Sequence, residues 1–220
     1  MQAGTAAEVF PYGRLQPYIV KDGAQCLKRG QDLVLSLVLL IMLAPVLGIL
    51  AILVWLSGPG PVIYRQLRIG AGGQPFILLK FRTMRHDPGA PFEQARPDDE
   101  RATPVGRWLR RLSLDELLQL INVLRGEMSL VGPRPHAPET TVEGVRFDAA
   151  LALYPLRYRV RPGMTGLAQI RGQRGETRHL RALESRLASD LEYIQNWSWG
   201  LDAAILLQTL PVLVGQGGAV

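Results

Sequence analysis

An uninterrupted apolar stretch, residues 33–56, limits what this chain can fold into more than any other feature of its sequence. It reads "LVLSLVLLIMLAPVLGILAILVWL" and contains no charged residue. Roughly 20 apolar residues suffice to cross a bilayer, so the stretch is long enough to span a membrane. It is not typical of a cleaved signal peptide, because it begins late and the following "SGPGP" is not a small-residue cleavage site. An all-apolar helix of this length is more typical of a membrane segment than of a buried core.

Two features bear on whether this stretch crosses the membrane. Pro45 lies near its middle, where a proline removes a backbone donor and clashes with the preceding turn. Each half is then about a dozen residues or about 18 Å long, well short of the roughly 30 Å hydrocarbon core. Both flanks are basic and therefore favour the cytoplasmic side. The residues alone leave two paths open: a helix hinged at Pro45 that returns to the same face, and a straight helix with a tolerated proline.

Charged residues mark the point where the apolar segment begins. Lys28 and Arg29 are placed to bind lipid phosphates. Asp32 beside a bilayer is costly unless it is paired, and Lys28 or Arg29 at helical spacing is the natural partner.

The following residues predict a β-hairpin and then a long polar loop. "PVIYRQLRIG" (61–70) and "QPFILLKFRTM" (74–84) have the pattern of two short strands around "GAGG". Residues 85–104 are Pro-rich and charged, which indicates a mobile loop that serves either as a lid or as a plain surface loop.

Two helical patterns follow near the end of the sequence. Residues 176–197 carry an amphipathic helical pattern that we interpret as packing only. Residues 201–214 are apolar but too short to span, so we expect a helix on the membrane surface or against the segment around Pro45.

The charge balance predicts an anionic partner. The net charge is +6 and the pI is near 9.9, which suits nucleic acid, a phosphorylated small molecule or an anionic membrane. Arg107, Arg110 and Arg111 share a helical face, whereas the period-two arginines of 157–161 predict a strand that aims its side chains one way. Either set holds phosphates or headgroups, or is simply solvated. Nucleic acid is disfavoured because the arginines are not interleaved with stacking aromatic residues.

A single cysteine excludes an internal disulfide, and three scattered histidines offer no metal-ligand spacing.

Two adjacent acids, Asp115 and Glu116, stand before the apolar run of "SLDELLQLINVLRGEMSLVGPRP" (113–135). Ser113 and Glu116 fit a capping box, and acids in a first turn complement the helix dipole, so any helix could begin this way. Alternatively, one carboxylate is a nucleophile toward phosphorus and its neighbour holds a divalent cation. For that role we expect nearby arginines and helix amides to lower the pKa of the nucleophile.

The motif "GPRP", residues 132–135, presents an arginine from a stiff loop. Pro133 and Pro135 restrict the backbone on both sides of Arg134. A guanidinium held in this way suits bidentate contact with a phosphate or a nucleotide. A stiff turn whose arginine caps a local group is the alternative.

Taken together, these pieces resemble the monotopic phosphoglycosyl transferases, also called bacterial sugar transferases. The resemblance runs in order over nearly the whole chain from about residue 28 and is specific because of that order. It rests on these stretches: "KRGQD", the apolar segment with its proline, "LRIG", "LLKFRTM", "SLDELLQLINVLRGEMSLVGPRP", "VRPGMTGLAQI" and "RGQRGET".

The resemblance implies a chemistry for the acids and the arginines. Asp115 would attack the sugar-bearing phosphate of a UDP-sugar, UMP would leave, and undecaprenyl phosphate would then accept the sugar phosphate. Glu116 would bind Mg²⁺, Arg134 would help to hold the uridine nucleotide, and Arg110 would contact a phosphate. We further predict substrate contacts for these members of the matching motifs: Arg68, Lys80, Arg82, Pro133 and Pro135.

The resemblance also implies an α+β fold that forms one monotopic domain on the cytoplasmic face of a bacterial inner membrane. We expect a terminal extension over 1–27, a re-entrant helix over 28–58 hinged at Pro45, and a catalytic domain over 59–220 with a hairpin and interfacial helices. "RGQRGET" resembles the subgroup that transfers hexose phosphate, so UDP-glucose or UDP-galactose is the favoured donor; an oligomer is possible. The sequence departs from the family pattern at Ala44, Leu118 and Arg171, where Ser, Pro and Asn are usual.

Overall fold

The computed structural model describes residues 22–86, 99–175 and 177–215. The predicted mobile loop over 85–104 and the predicted extension over 1–27 therefore lie largely outside the described residues. The elements are α1 (Asp22–Leu56), β1 (Ile63–Ile69), β2 (Pro75–Phe81), α2 (Pro104–Arg111), α3 (Gln119–Arg125), β3 (Ser129–Val131), β4 (Thr141–Val142), β5 (Val145–Arg146), α4 (Phe147–Ala150), β6 (Gly163–Thr165), α5 (Leu167–Ile170), α6 (Leu180–Gln195) and α7 (Trp199–Gly215), with 3-10 helices at Ala71–Gly73, Leu114–Leu118 and Tyr154–Arg159. This mixture agrees with the α+β prediction.

Helix α1 is continuous, and the helical assignment runs through Pro45 without a break. A proline inside an apolar helix is tolerated when a kink or neighbouring groups accommodate the lost hydrogen bond. The structure therefore does not separate α1 into two halves at Pro45, and the re-entrant path stays a prediction. By length and composition, α1 is the one helix among the described residues that could cross a membrane, over Gln25–Leu56.

One face of α1 packs on the rest of the protein along most of its length. The covered or partly covered positions recur every three or four residues, which is the spacing of a single helical stripe. They are Lys28, Arg29, Gln31, Asp32, Ser36, Leu40, Leu43, Leu47, Leu50, Ala51, Leu53 and Val54. The stripe therefore continues on both sides of Pro45.

The remaining faces of α1 expose large apolar side chains. Met42 is 71% exposed, and Ile41 and Trp55 are nearly as open. Apolar surface of this extent on a helix marks a contact with lipid or with a partner. It extends from Leu27 to Leu56, across the whole predicted membrane segment.

Strands β1 and β2 form the predicted antiparallel hairpin, in which Arg68 lies opposite Phe76 and Lys80 opposite Tyr64. The outer edge of β2 is held by Asn122 of α3. The Asn122 side chain accepts a hydrogen bond from the amide of Leu79 at 3.0 Å and donates one to the carbonyl of Ile77 at 2.7 Å. Asn122 is fully buried, so these bonds are shielded from water and fix the hairpin on α3.

Parallel strands β3 and β6 bring the segment after β3 against "GMTG" (163–166). The two backbones touch so closely that a Cβ on Gly166 would lie 2.2 Å from the carbonyl oxygen of Gly132. No residue with a side chain fits at this contact, so glycine is required there.

The predicted strand over 157–161 is wrong. Residues Tyr154–Arg159 form a 3-10 helix, in which Pro155 occupies the first turn and Arg157 turns inward and is buried. A buried ion pair with Asp190 takes the Arg157 side chain away from the row that a strand would form.

The C-terminal helices pack beside α1. Ile205 of α7 belongs to the same core cluster as Tyr193 and Ile194 of α6, and Leu40 and Leu43 of α1 pack against that cluster. The expected packing of the tail near the apolar segment is therefore present.

Arg82 closes the C-terminal end of α1. Its guanidinium donates to the carbonyls of Val54 at 2.8 Å, Gly58 at 2.6 Å and Pro59 at 2.6 Å. Carbonyls in the last turn of a helix have no partner within the helix, and a cation also complements the helix dipole. Arg82 therefore has a structural role at this helix end, and its predicted substrate contact stays a prediction.

Replacement of Arg82 by Gln should destabilise the fold because three carbonyls lose a charged donor. We expect the free energy of unfolding to fall by about 2–4 kcal/mol. Thermal unfolding in detergent measures the loss. Arg85→Gln, at an exposed neighbouring position, is the control and should leave the melting temperature unchanged. Equal melting temperatures for Arg82→Gln and the control would contradict the capping role.

Candidate active site

Asp115 and Glu116 lie in the 3-10 helix Leu114–Leu118, between α2 and α3. The capping-box prediction is wrong. Ser113 adopts a left-handed conformation with φ of 54° and its side chain makes no capping hydrogen bond. The Glu116 carboxylate does not reach back to the helix start, because cations from two other segments bind it.

Arg134 and Lys80 neutralise Glu116. Arg134 donates from both terminal nitrogens, with Nη1–Oε2 at 2.9 Å and Nη2–Oε1 at 2.5 Å. Lys80 Nζ lies 3.1 Å from Oε1. Burial opposes ionisation of Glu116, but the two cations outweigh it and hold its pKa well below the ordinary value. The Glu116 side chain keeps 19% exposure, so solvent screens part of this attraction.

Asp115 is in the opposite situation. It is 6% exposed, and none of the described residues donates a hydrogen bond to its carboxylate. Burial raises the pKa of Asp115 to about 6, against the charges of Lys80, Arg134 and Arg110, while the negative charge of Glu116 raises it further. The expected net lowering of the Asp115 pKa is therefore wrong: the cations do lower it, but desolvation exceeds their attraction.

The two neighbouring carboxylates therefore have separate chemical characters. Glu116 stays ionised and bound by two cations, whereas Asp115 is desolvated, accepts no hydrogen bond from the described part of the chain and has a pKa of about 6. Pairs of acids whose pKa values are pushed apart in this way are typical of active sites with divided roles. A buried carboxylate without donors is a better nucleophile than a hydrogen-bonded one.

Further cations surround the pair. Arg110 of α2 lies within electrostatic range of Asp115. Arg68 of β1 lies near Arg134 and Glu116, and burial together with Arg134 lowers its pKa to about 10. Arg174 was not singled out from the sequence, although it belongs to "RGQRGET". It is half-buried, bonds the carbonyl of Gln169, and its pKa is lowered by burial and by Arg134.

Four of the predicted cations therefore share one site with the two acids: Arg68, Lys80, Arg110 and Arg134. The flanking Pro133 and Pro135 line a shallow recess beside Arg134, between the hairpin end at Ile69 and the 3-10 helix that carries Arg157. The cations outnumber the acids, so the site suits a ligand with several negative charges.

The charged residues at the start of α1 lie elsewhere and have protein partners. Lys28 forms an ion pair with Asp202 at 2.5 Å, so of the two predicted partners of Asp32 it is Arg29 that interacts electrostatically with this carboxylate. Arg29 donates to the carbonyls that end α3, at Val123 and Leu124. Asp32 accepts the amide of Leu130 at 3.2 Å. Their contact with lipid phosphates stays a prediction, but these groups already tie α1 to the domain.

The donor set fits a magnesium ion only in part. Among the residues that the structure describes, no group of three His, Cys, Asp or Glu side chains could hold a metal. Mg²⁺ is often bound by one or two carboxylates together with substrate phosphates, and Asp115 with Glu116 fits that arrangement. Glu116 would have to release part of its contact with Arg134 or Lys80 to ligate the ion.

Comparisons with known proteins found similar sequences over most of the chain. A family profile described as "Bacterial sugar transferase" matches residues 23–216. A Caulobacter vibrioides protein named UDP-glucose:undecaprenyl-phosphate glucose-1-phosphate transferase is 48% identical over 193 residues, which cover 87% of this chain and 71% of that protein. An Escherichia coli K12 protein of the same name is 48% identical over 185 residues, 84% of this chain but 39% of that protein. The Rhizobium leguminosarum exopolysaccharide production protein PSS is 43% identical over 84% of this chain and 93% of its own length.

Asp115→Asn should stabilise the folded protein because it removes an ionised group from a desolvated site. The folded pKa of about 6 lies above the ordinary 3.8, so the ionised carboxylate destabilises the fold at higher pH. We expect a gain of about 1–3 kcal/mol at pH 7.5, which shrinks as the pH falls below about 6. Thermal unfolding between pH 5 and 7.5, with exposed Glu184→Gln as the control, measures it. A pH-independent loss of stability in Asp115→Asn would contradict the desolvation argument.

Proposed function

Because the chain belongs to the bacterial sugar transferase family and is a sugar-1-phosphate transferase, we propose that it moves a hexose-1-phosphate from a UDP-sugar to undecaprenyl phosphate. UDP-glucose is the favoured donor, since two relatives that match at 48% identity are named for it. UDP-galactose is the alternative donor from the same hexose group. The exopolysaccharide relative supports a place at the first membrane step of exopolysaccharide or glycoconjugate synthesis.

One observation carries the assignment of roles within the site. Asp115 is buried, accepts no hydrogen bond from the described residues and lies beside a carboxylate that two cations occupy. Glu116 is a poor nucleophile because Arg134 and Lys80 hold both of its oxygens. Asp115 has free lone pairs and a raised pKa, so it is the acid that reacts.

The first half-reaction transfers the sugar phosphate to the protein. A carboxylate oxygen of Asp115 attacks the sugar-bearing phosphorus of the UDP-sugar. The bond between this phosphorus and the oxygen bridging to UMP breaks, and UMP leaves with the bonding electrons. Arg110, Arg134 and Lys80 surround the reacting phosphates and stabilise the charge that develops on their oxygens.

The second half-reaction restores the carboxylate. A phosphate oxygen of undecaprenyl phosphate attacks the same phosphorus, and the bond from phosphorus to Asp115 breaks. The product is a lipid-linked diphosphate sugar. Bound through Glu116, Mg²⁺ would supply positive charge to the phosphate oxygens. Release of Arg134 from Glu116 would leave its planar guanidinium available to the nucleotide during the first half-reaction.

The packing of α1 supports a monotopic placement. Its covered stripe includes Leu40 and Leu43 before Pro45 and Leu47, Leu50 and Val54 after it, and all of them contact the catalytic domain. A helix that crossed to the far side would carry one of its halves away from a domain that lies on the near side. A path that enters and leaves on one face lets both halves keep these contacts. We therefore propose that α1 is re-entrant and that the site faces the cytoplasm at a bacterial inner membrane.

Asp115→Asn should abolish UMP release from UDP-glucose, by at least about 10³-fold, because the nucleophile is lost. A panel of UDP-sugars and measurement of UMP will identify the donor as well. Intact-protein mass spectrometry should detect a hexose-phosphate adduct on the wild-type chain incubated without acceptor, and no adduct on the variant. Glu184→Gln is the control and should retain wild-type turnover. Full UMP release by Asp115→Asn would overturn the proposal.

The two ends of α1 should react from the same side of the membrane. Cys26 is the native thiol and is exposed at the start of α1. A second chain, Cys26→Ser with Pro61→Cys, places a lone thiol after its end. We expect a membrane-impermeant maleimide to label both chains in inside-out vesicles and neither in intact spheroplasts. Labelling of the two thiols from opposite sides would establish a straight crossing instead.

A further inference from the structure

The loop that presents Arg134 is held at four successive carbonyls by donors from separate parts of the fold. The carbonyl of Pro133 accepts the amide of Gly163 at 3.0 Å, and that of His136 accepts the amide of Ile69 at 3.1 Å. The carbonyl of Arg134 itself accepts Nη2 of Arg157 at 2.8 Å. Arg68 Nη1 reaches the carbonyl of Pro135 at 3.5 Å. Of the two side chains that donate to these carbonyls, Arg157 makes the shorter hydrogen bond.

Arg157 is itself fixed by a buried network that the proposed chemistry does not use. Its Nη2 lies 2.8 Å from Oδ2 of Asp190 on α6, and the two side chains are 4% and 2% exposed. Nη1 bonds the hydroxyl of Tyr154, and the guanidinium lies 4.7 Å from the centre of that ring. Tyr154 and Tyr158 in turn bond the two ring nitrogens of His136 at 3.1 and 3.3 Å.

We infer that Arg157, held by Asp190, is a positioning residue that sets Arg134 for donor binding. The guanidinium uses two separate nitrogens: Nη1 donates to the Tyr154 hydroxyl, and Nη2 donates to the Arg134 carbonyl and lies 2.8 Å from Oδ2 of Asp190. A lysine offers one compact ammonium and cannot occupy both nitrogen positions. The buried Arg157–Asp190 pair therefore fixes the Arg134 loop relative to α6. The loop in turn fixes the Arg134 guanidinium that contacts Glu116.

Stability alone is a competing explanation, because loss of one member of a buried ion pair leaves an uncompensated charge. Joint replacement by apolar residues of similar volume often restores stability in such pairs. The double variant Arg157→Met with Asp190→Leu therefore separates the two roles. It removes the buried charges together but also leaves the Arg134 carbonyl without its donor.

The test uses the full chain in lipid nanodiscs with two readouts. We expect the double variant to melt near the wild-type temperature, yet to exchange backbone amide hydrogens faster in the peptide 129–137. Its KM for UDP-glucose should rise by about tenfold or more, with a smaller change in kcat, because a displaced Arg134 binds the donor less well. Arg171→Gln is the matched control: Arg171 pairs with Glu192 of the same helix α6, on the exposed surface, and should change neither readout.

Wild-type exchange and wild-type KM in the stable double variant would overturn the inference. If the double variant does not fold, Arg157→Lys is measured instead. Wild-type rates of amide hydrogen exchange over 129–137 in Arg157→Lys would also overturn the inference. The KM measurement rests on the proposed function, whereas the hydrogen-exchange measurement does not. A wild-type protein that releases no UMP from any UDP-sugar would refute the proposed function and leave the exchange result to decide on Arg157.

Discussion

Two adjacent carboxylates compete for the same cations, and the rest of the site is arranged around the outcome. Arg134 and Lys80 bind Glu116, whereas Asp115 is left buried and none of the residues that the structure describes donates a hydrogen bond to it. Each cation reaches this point from a separate element, Lys80 from the hairpin and Arg134 from the loop after β3. The scaffold must therefore hold a hairpin and a loop in fixed relation to one short 3-10 helix. Asn122 on one side and the backbone contacts of β6 on the other provide that constraint.

Features that depend on local pattern were predictable from the sequence. The hairpin follows from alternating apolar residues around a glycine-rich turn, and α1 from its composition. The acidic pair and the "GPRP" arginine were recognised from residue type and order, and the structure brings Glu116 and Arg134 into direct contact. Arg68, Lys80 and Arg110 also lie at the site, as the matching motifs predict.

Features that depend on distant partners were not predictable. Nothing near Arg82 or Arg157 in sequence indicates that one ends α1 and the other pairs with a residue of α6. The spacing of Ser113 and Glu116 suggests a cap, but tertiary ion pairs exceed the value of a local hydrogen bond. The direction of the Asp115 pKa depends on burial, and burial at one position requires the whole fold. Arg174 was overlooked because only the folded chain carries it toward Glu116.

Asp202 supplies an anchor for α1 that joins distant parts of the chain. Its carboxylate accepts Lys28 at the start of α1, the hydroxyl of Tyr193 and the indole of Trp197. Lys28 leaves the ribosome 174 residues before its partner. This ion pair can therefore form only after Asp202 has been synthesised, so the link between the start of α1 and α7 is established later than α1 itself.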